Sequence, residues 1–201
     1  MIGLTGQTGA GKTTVCHAFK ERGYAVISAD EISHEVLDTD QECLRELLEV
    51  FPQDILFPDG RVNRKRLGDL VFASECKRRL LMDITYPYIT ARILDRILEL
   101  SEEGCELILL DAPTLFESRA DDFCELVVSV TSPQELRLQR IIQRDGLTQE
   151  QAIRRIAAQH SESYYTSRSD YVIRNEGDLP LLQTMAAEIS NVIKEYCCHG
   201  R

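Results

Sequence analysis

The run Gly6-Gln7-Thr8-Gly9-Ala10-Gly11-Lys12-Thr13 gathers residue types whose spacing suits one task, holding phosphate groups. It satisfies G-x-x-x-x-G-K-[ST], and it lies between a short apolar run, Met1 to Thr5, and a helical pattern that begins at Lys12. Glycines let a backbone wrap closely around an anion with its N–H groups turned inward, where side chains would block the approach. Lys12 supplies a point charge for the β and γ phosphates, Thr13 a hydroxyl for Mg²⁺, and the helix start a favourable dipole. A nucleoside triphosphate with Mg²⁺ is the ligand these groups suit. The plain alternative, a glycine-rich turn matching by chance, is disfavoured by the strand before it and the helix after it.

Two carboxylates stand at the ends of apolar runs: Asp30 after Val26-Ile27-Ser28-Ala29, and Asp111 after Leu107 to Leu110. Ligands of open parallel sheets bind beyond the carboxyl ends of the strands, so both acids are expected in the crevice of the phosphate loop. Phosphoryl transfer needs an acceptor hydroxyl relieved of its proton, and Asp30 is placed for that, or for capping the helix from Glu31 onward. Asp111 either holds Mg²⁺ through water or caps the turn at Ala112-Pro113. Arg137, Arg140 and Arg144 recur at helical spacing, with Leu138, Ile141 and Ile142 expected on the opposite face. They form either an anion clamp or a solvated helix face. A GTP switch is disfavoured, because neither D-x-x-G nor N-K-x-D follows the third and fourth apolar runs.

These groups need a scaffold. Strands are expected at Met1 to Thr5, Tyr24 to Ser28, Leu107 to Leu110, Leu126 to Val130 and Tyr171 to Ile173, separated by helical patterns, which implies a doubly wound α/β sheet. Unbroken apolar runs such as Leu107 to Leu110 suit strands covered on both faces. Residues 31–104 have helical periodicity interrupted by Phe51-Pro52 and by Phe57-Pro58-Asp59-Gly60, and read as a helical insertion. A further helical stretch runs from Pro133 to about Arg168 with one break at Asp145-Gly146.

The 201 residues suit one such domain, and 43% hydrophobic with 28% charged residues is ordinary for a globular chain. The net charge of −10 argues against nonspecific binding to nucleic acid or anionic membranes. Seven scattered cysteines without a C-x-x-C pair suit reduced thiols. The nearest approach to a zinc cluster is Cys197, Cys198 and His199. No signal segment or long apolar run is present, so a cytoplasmic location is expected.

With these residues in place, the chain resembles the dephospho-coenzyme A kinase family nearly from end to end. Gly3-Leu4-Thr5-Gly6 with Gly9-Ala10-Gly11-Lys12-Thr13-Thr14 is similar to its opening, and Ala29-Asp30-Glu31-Ile32 with His34-Glu35 to its acidic motif. Asn63-Arg64-Lys65-Arg66-Leu67-Gly68 with Val71-Phe72 resembles its arginine motif, and Asp111-Ala112-Pro113 with Leu115-Phe116-Glu117 its D-x-P-L-L-x-E segment. Leu138-Gln139-Arg140 with Arg144-Asp145 resembles the start of its lid, and Asp170, Val172-Ile173 and Asn175 its last strand and following turn. The chain departs from the family at Ser28 (usually aspartate), Tyr86 (histidine), Thr114 (leucine), Arg137 (glutamine) and Ser169 (alanine).

The resemblance implies a three-layer fold of the P-loop nucleoside-triphosphate hydrolase type, with a five-stranded parallel sheet. The nucleotide core would span about 1–30, 105–136 and 169–201, the CoA-binding helical insertion 31–104, and the lid 137–168. It implies ATP-dependent phosphorylation of the ribose 3′-hydroxyl of dephospho-CoA, the last step of coenzyme A synthesis, with no obligate protein partner. Asp30, Lys12 and Arg140 would be catalytic. Gly9, Ala10, Gly11, Lys12, Thr13, Thr14, Arg140, Arg144 and Asn175 would bind ATP, and Thr13 would bind Mg²⁺. Asp30, Arg64, Tyr86, Pro113 and Leu115 would bind the acceptor. The rivals are a nucleoside or nucleotide kinase on the same scaffold, and an ATP- or GTP-binding module without turnover.

Overall fold

The computed structural model describes residues 1–199, save the side chains of Phe72, Cys198 and His199; two members of the tail cluster thus lie outside the described residues. The chain divides into two compact units, Met1–Ser28 with the chain from Leu100 onward, and Ala29–Glu99.

The first unit holds a five-stranded sheet. Its strands are β1 (Ile2–Gly6), β2 (Ala25–Ser28), β3 (Ile108–Asp111), β4 (Leu126–Thr131) and β5 (Tyr171–Arg174). They run in the order β2-β3-β1-β4-β5, with every pairing parallel. All five fall on the apolar runs of the sequence. In this register Leu4 lies beside Asp111 and Asp111 beside Ser28, so β1, β2 and β3 end along one edge of the sheet.

Helices α1 (Lys12–Lys20) and α9 (Leu179–His199) pack together and close the main core. Val15 and Phe19 of α1 meet Leu4, Val128 and Val130 of the sheet and Leu182, Ala186 and Ile193 of α9. Burying such side chains contributes about 1.5–3 kcal/mol each, so the helix carrying the phosphate motif is anchored by its apolar face. The Tyr24 hydroxyl donates to the Ser190 carbonyl at 2.9 Å and ties α9 to the start of β2. Asp170 accepts from Val127 N–H at 2.7 Å, joining the entry of β5 to β4.

The second unit is helical: α2 (Ala29–Thr39), α3 (Gln41–Val50), α4 (Arg64–Phe72) and the first part of α5 (Glu75–Glu102), which passes through Pro87. Asp40 caps α3 and Asn63 caps α4, each by accepting from first-turn N–H groups that have no helical partner. Phe57-Pro58-Asp59-Gly60 forms a tight turn closed by an antiparallel bridge between Leu56 and Val62. No helix among the described residues is long and apolar enough to cross a membrane.

After β4 the chain forms α6 (Gln134–Asp145), α7 (Gln149–Ala157) and α8 (Glu162–Thr166). The stretch from Pro133 therefore has two breaks, not one. The second, at 158–161, carries no Gly or Pro to mark it in the sequence. A small separate core of Ile141, Ala152 and Ile156 fastens α6 to α7.

Candidate active site

β1 runs into the glycine loop and the loop into α1, as the apolar run and the motif require. No side chain caps α1, whose N-cap is Gly11, so the first N–H groups of the helix are left for an external acceptor. Gly9 and Gly11 have φ of 75° and 107°, where a β-carbon is strained. Space excludes one as well: at Gly11 it would meet Asn175 Nδ2 at 2.6 Å, and at Gly9 the Arg137 carbonyl at 2.9 Å. Lys12 Nζ folds back to the Gly6 carbonyl at 3.3 Å, across the concave side of the loop.

A buried polar layer holds the loop in this shape. Asn175 Nδ2 donates to the Ala10 carbonyl at 2.7 Å. Arg140 donates to the Gly9 carbonyl at 3.3 Å, to Ser132 Oγ at 3.1 Å and to Asn175 Oδ1 at 3.3 Å. Ser132 Oγ donates in turn to the Asn175 carbonyl at 2.7 Å. The Asn175 amide thus bonds the loop through its nitrogen and Arg140 through its oxygen. Ser132 went unrecognised in the sequence because a lone serine after a strand carries no pattern.

The segment between α7 and α8 closes over the other side. Thr8 N–H donates to Gln159 Oε1 at 2.9 Å, and Gln7 Nε2 to the His160 carbonyl at 3.1 Å. His160 stacks on Tyr164 at 3.8 Å, stands 3.5 Å from Glu117, and Arg168 covers the Tyr164 ring. Burial pushes the Glu117 carboxyl above its ordinary range, against the opposing charges of His160 and Arg168. Gln7, Gln159 and His160 also escaped sequence reasoning, since only the fold brings residues about 150 positions apart together.

The three α6 arginines do not share one face opposite Leu138, Ile141 and Ile142. Arg137 and Ile141 are both buried, while Arg144 is exposed and paired with Asp145 at 2.7 Å. At 3.6 residues per turn, positions four apart stack on one face. The 137/141 row is the one pressed between the phosphate loop and α7.

Thr13 is exposed in the first turn of α1, and Thr14 beside it is half-buried. Asp111 is the last residue of β3, and it accepts a hydrogen bond from the Cys16 thiol on α1. Burial, reinforced by the Asp111 charge, pushes that thiol well above the usual range and keeps it protonated. Pro113 is half-buried, its carbonyl accepting from Thr5 Oγ1 at 3.4 Å. Leu115 is fully buried, its side chain packed against Gly3.

Asp30, Arg64 and Tyr86 belong to the second unit. Asp30 is exposed in the first turn of α2, inside the helix rather than at its cap, because α2 starts at Ala29 directly from β2. Arg64, the first residue of α4, pairs with Asp38 on α2. Tyr86 is half-buried on α5, and Tyr88 two residues on donates to Glu46 at 2.8 Å. Arg92 stands 3.4 Å from Glu35.

Known proteins are similar to this chain in sequence and in fold. A family model described as dephospho-CoA kinase matches residues 1–180. The dephospho-CoA kinase of Arabidopsis thaliana is 38% identical over 179 residues, covering 89% of this chain and 77% of that protein. That of Corynebacterium glutamicum is 36% identical, covering 96% of each. Among solved structures, the dephospho-CoA kinase from Campylobacter jejuni superposes with a TM-score of 0.71 at 28% identity, covering 96% of each chain. A Thermus thermophilus protein superposes with a TM-score of 0.80 at 27% identity, again over 96% of each. Shikimate kinase from Acinetobacter baumannii, with a TM-score of 0.54 and 21% identity over 96% of this chain and 92% of that one, shares the fold. With its phosphate loop, its parallel sheet and a family match over nearly its whole length, the chain belongs to the dephospho-CoA kinase family.

Proposed function

We propose that this protein transfers the γ-phosphoryl of ATP to the ribose 3′-hydroxyl of dephospho-CoA, giving coenzyme A and ADP. The observation that carries the reading is the uncapped start of α1, wrapped by a glycine loop that a half-buried arginine and a buried asparagine hold open, in a chain of this family. Such a loop binds triphosphate through its N–H groups, and transfer then depends on positioning and electrostatics.

In this reading Lys12 exchanges the Gly6 carbonyl for β and γ oxygens, and the Gly9 to Thr14 backbone cradles the phosphates. Arg140 and Asn175 fix the loop, so their effect on ATP runs through its shape. Arg144 exchanges Asp145 for the nucleotide when residues 137–168 close as a lid. Asp30 orients the 3′-hydroxyl and accepts its proton. Arg64 exchanges Asp38 for an anionic group of the acceptor, Tyr86 supplies a ring and a hydroxyl to it, and Pro113 borders its path. Residues 31–104 as the acceptor-binding insertion, and a cytoplasmic location, belong to the same proposal.

The oxygen donors available, the Thr13 hydroxyl and the Asp111 carboxylate, suit a hard cation such as Mg²⁺, which keeps most of its water. When bound, Mg²⁺ neutralises charge on the β and γ oxygens. Purified protein with Mg²⁺ and ATP is expected to form ADP rapidly with dephospho-CoA and slowly with nucleosides or nucleoside monophosphates. Preference for a nucleoside would replace this reading with the nucleoside kinase one.

A further inference from the structure

Arg137 is the most deeply buried charged side chain among the described residues, 4% exposed, on the face of α6 that packs against the phosphate loop. Its Nε and Nη1 atoms are buried and make no hydrogen bond. It takes part in no ion pair within the described residues. The titratable groups that face it are Glu162 and Tyr165 of α8. Glu162 is exposed to water, and burial pushes the Tyr165 phenol up to about 12, so that ring carries no charge near neutrality.

A guanidinium does not shed its proton under ordinary conditions. Leaving it buried without an acceptor costs several kcal/mol in proteins. Among the described residues no side chain or carbonyl supplies that acceptor, and an anionic ligand would. Two observations set this part of α6 and the segment after α7 beside the phosphate loop. The Arg137 backbone lies against Gly9, with its Cα 3.1 Å from where a Gly9 β-carbon would stand. On the adjoining residue, the Thr8 N–H points to the amide oxygen of Gln159, an acceptor that stands in for a phosphoryl oxygen.

We propose that Arg137 is a further phosphate-binding residue, donating Nε–H and Nη1–H to the terminal phosphoryl of the triphosphate on the loop, with Gln159 yielding Thr8 N–H to the same group. The inference rests on the reading of the loop as an ATP site. It adds a permanent cation, supplied by α6, beside the charge that Lys12 brings from α1. The contact forms with the γ group, so it distinguishes ATP from ADP.

Calorimetric titration with Mg·ATP and Mg·ADP, together with thermal unfolding of the ligand-free protein, tests it on Arg137→Met and Arg137→Lys. Charge-assisted hydrogen bonds of this kind correspond to about a ten- to hundredfold change in affinity. Arg137→Met is expected to lose that factor for ATP and almost nothing for ADP, with an unfolding temperature equal to or above that of the parent. Arg137→Lys, which keeps the charge, is expected to recover part of the ATP preference. Equal losses for both nucleotides, or a lowered unfolding temperature with ATP affinity unchanged, would overturn the proposal and make Arg137 a packing residue. If the parent protein binds neither nucleotide, the functional reading falls and this inference falls with it; if it binds both and the variants do not differ from it, only this inference falls.

Discussion

In the phosphate loop the groups offered to a ligand are main-chain N–H groups, and the side chains behind them, Asn175, Ser132 and Arg140, are buried or half-buried and joined in one hydrogen-bonded layer. In the helical unit 29–99 the groups proposed to meet the acceptor are side chains on helix surfaces: Asp30 is exposed, and Arg64 is exposed and paired with Asp38. The first arrangement is preorganised, since its geometry is set before a ligand arrives and costs little to use. The second holds its charges in exposed pairs, which are worth about 0–1 kcal/mol and exchange readily for a ligand. Fixed backbone suits a phosphate chain common to all nucleotides, and exchangeable side chains suit recognition of a particular acceptor.

Asp30→Asn probes this difference most strongly. It is expected to reduce turnover about 10²–10⁴-fold, the range of general acid–base catalysis, with ATP affinity unchanged by titration. Near-normal turnover would leave Asp30 as a helix-start charge favoured by the α2 dipole. Next, Arg64→Ala should raise the KM for dephospho-CoA about tenfold, equivalent to about 1.4 kcal/mol, and leave the KM for ATP as it was. Equal changes in both constants would mean that Arg64 serves folding rather than the acceptor.

On the loop side, Asn175→Ala leaves the Ala10 carbonyl and the Arg140 guanidinium each short of a partner. A loss of about 1–3 kcal/mol follows, which at about 2–4 °C per kcal/mol is readable in thermal unfolding. ATP affinity should fall with it, because the loop loses its support. An unchanged unfolding temperature would show that preorganisation lies elsewhere.

The smallest effect concerns Glu117, whose folded-state carboxyl is raised above its ordinary value of 4.5 chiefly by burial. A raised acid favours the folded state fully below the unfolded value, and that contribution is lost as pH rises through the folded one. Glu117→Gln should therefore flatten the dependence of unfolding temperature on pH just above 4.5, with the variant gaining relative to the parent at higher pH. An unaltered slope would mean that the His160 contact compensates the charge in full.

Much of the fold was legible because it rests on local patterns. Continuous apolar runs such as Leu107 to Leu110 and Leu126 to Val130 mark strands buried on both faces, and the motif ending in Lys12-Thr13 marks the strand–loop–helix join. Asp111 at a strand end followed from the same runs. The break at 158–161 was not legible, since an Ala-Gln-His-Ser sequence has no turn signature and its conformation follows from docking on Gln7 and Thr8.

By itself the sequence determined the class of fold, the strand–loop–helix join at Lys12-Thr13, and the placing of Asp111 at a strand end, because these depend on periodicity and on steric demands within a few residues. Only the tertiary structure decided which of three arginines at helical spacing is buried, which is tied to the loop and which is solvated. It also decided that Leu115 is core and that Asn175 faces the loop. Burial and hydrogen-bond partners are properties of segments that meet in space, and Ala10 meets Asn175 across 165 positions of chain.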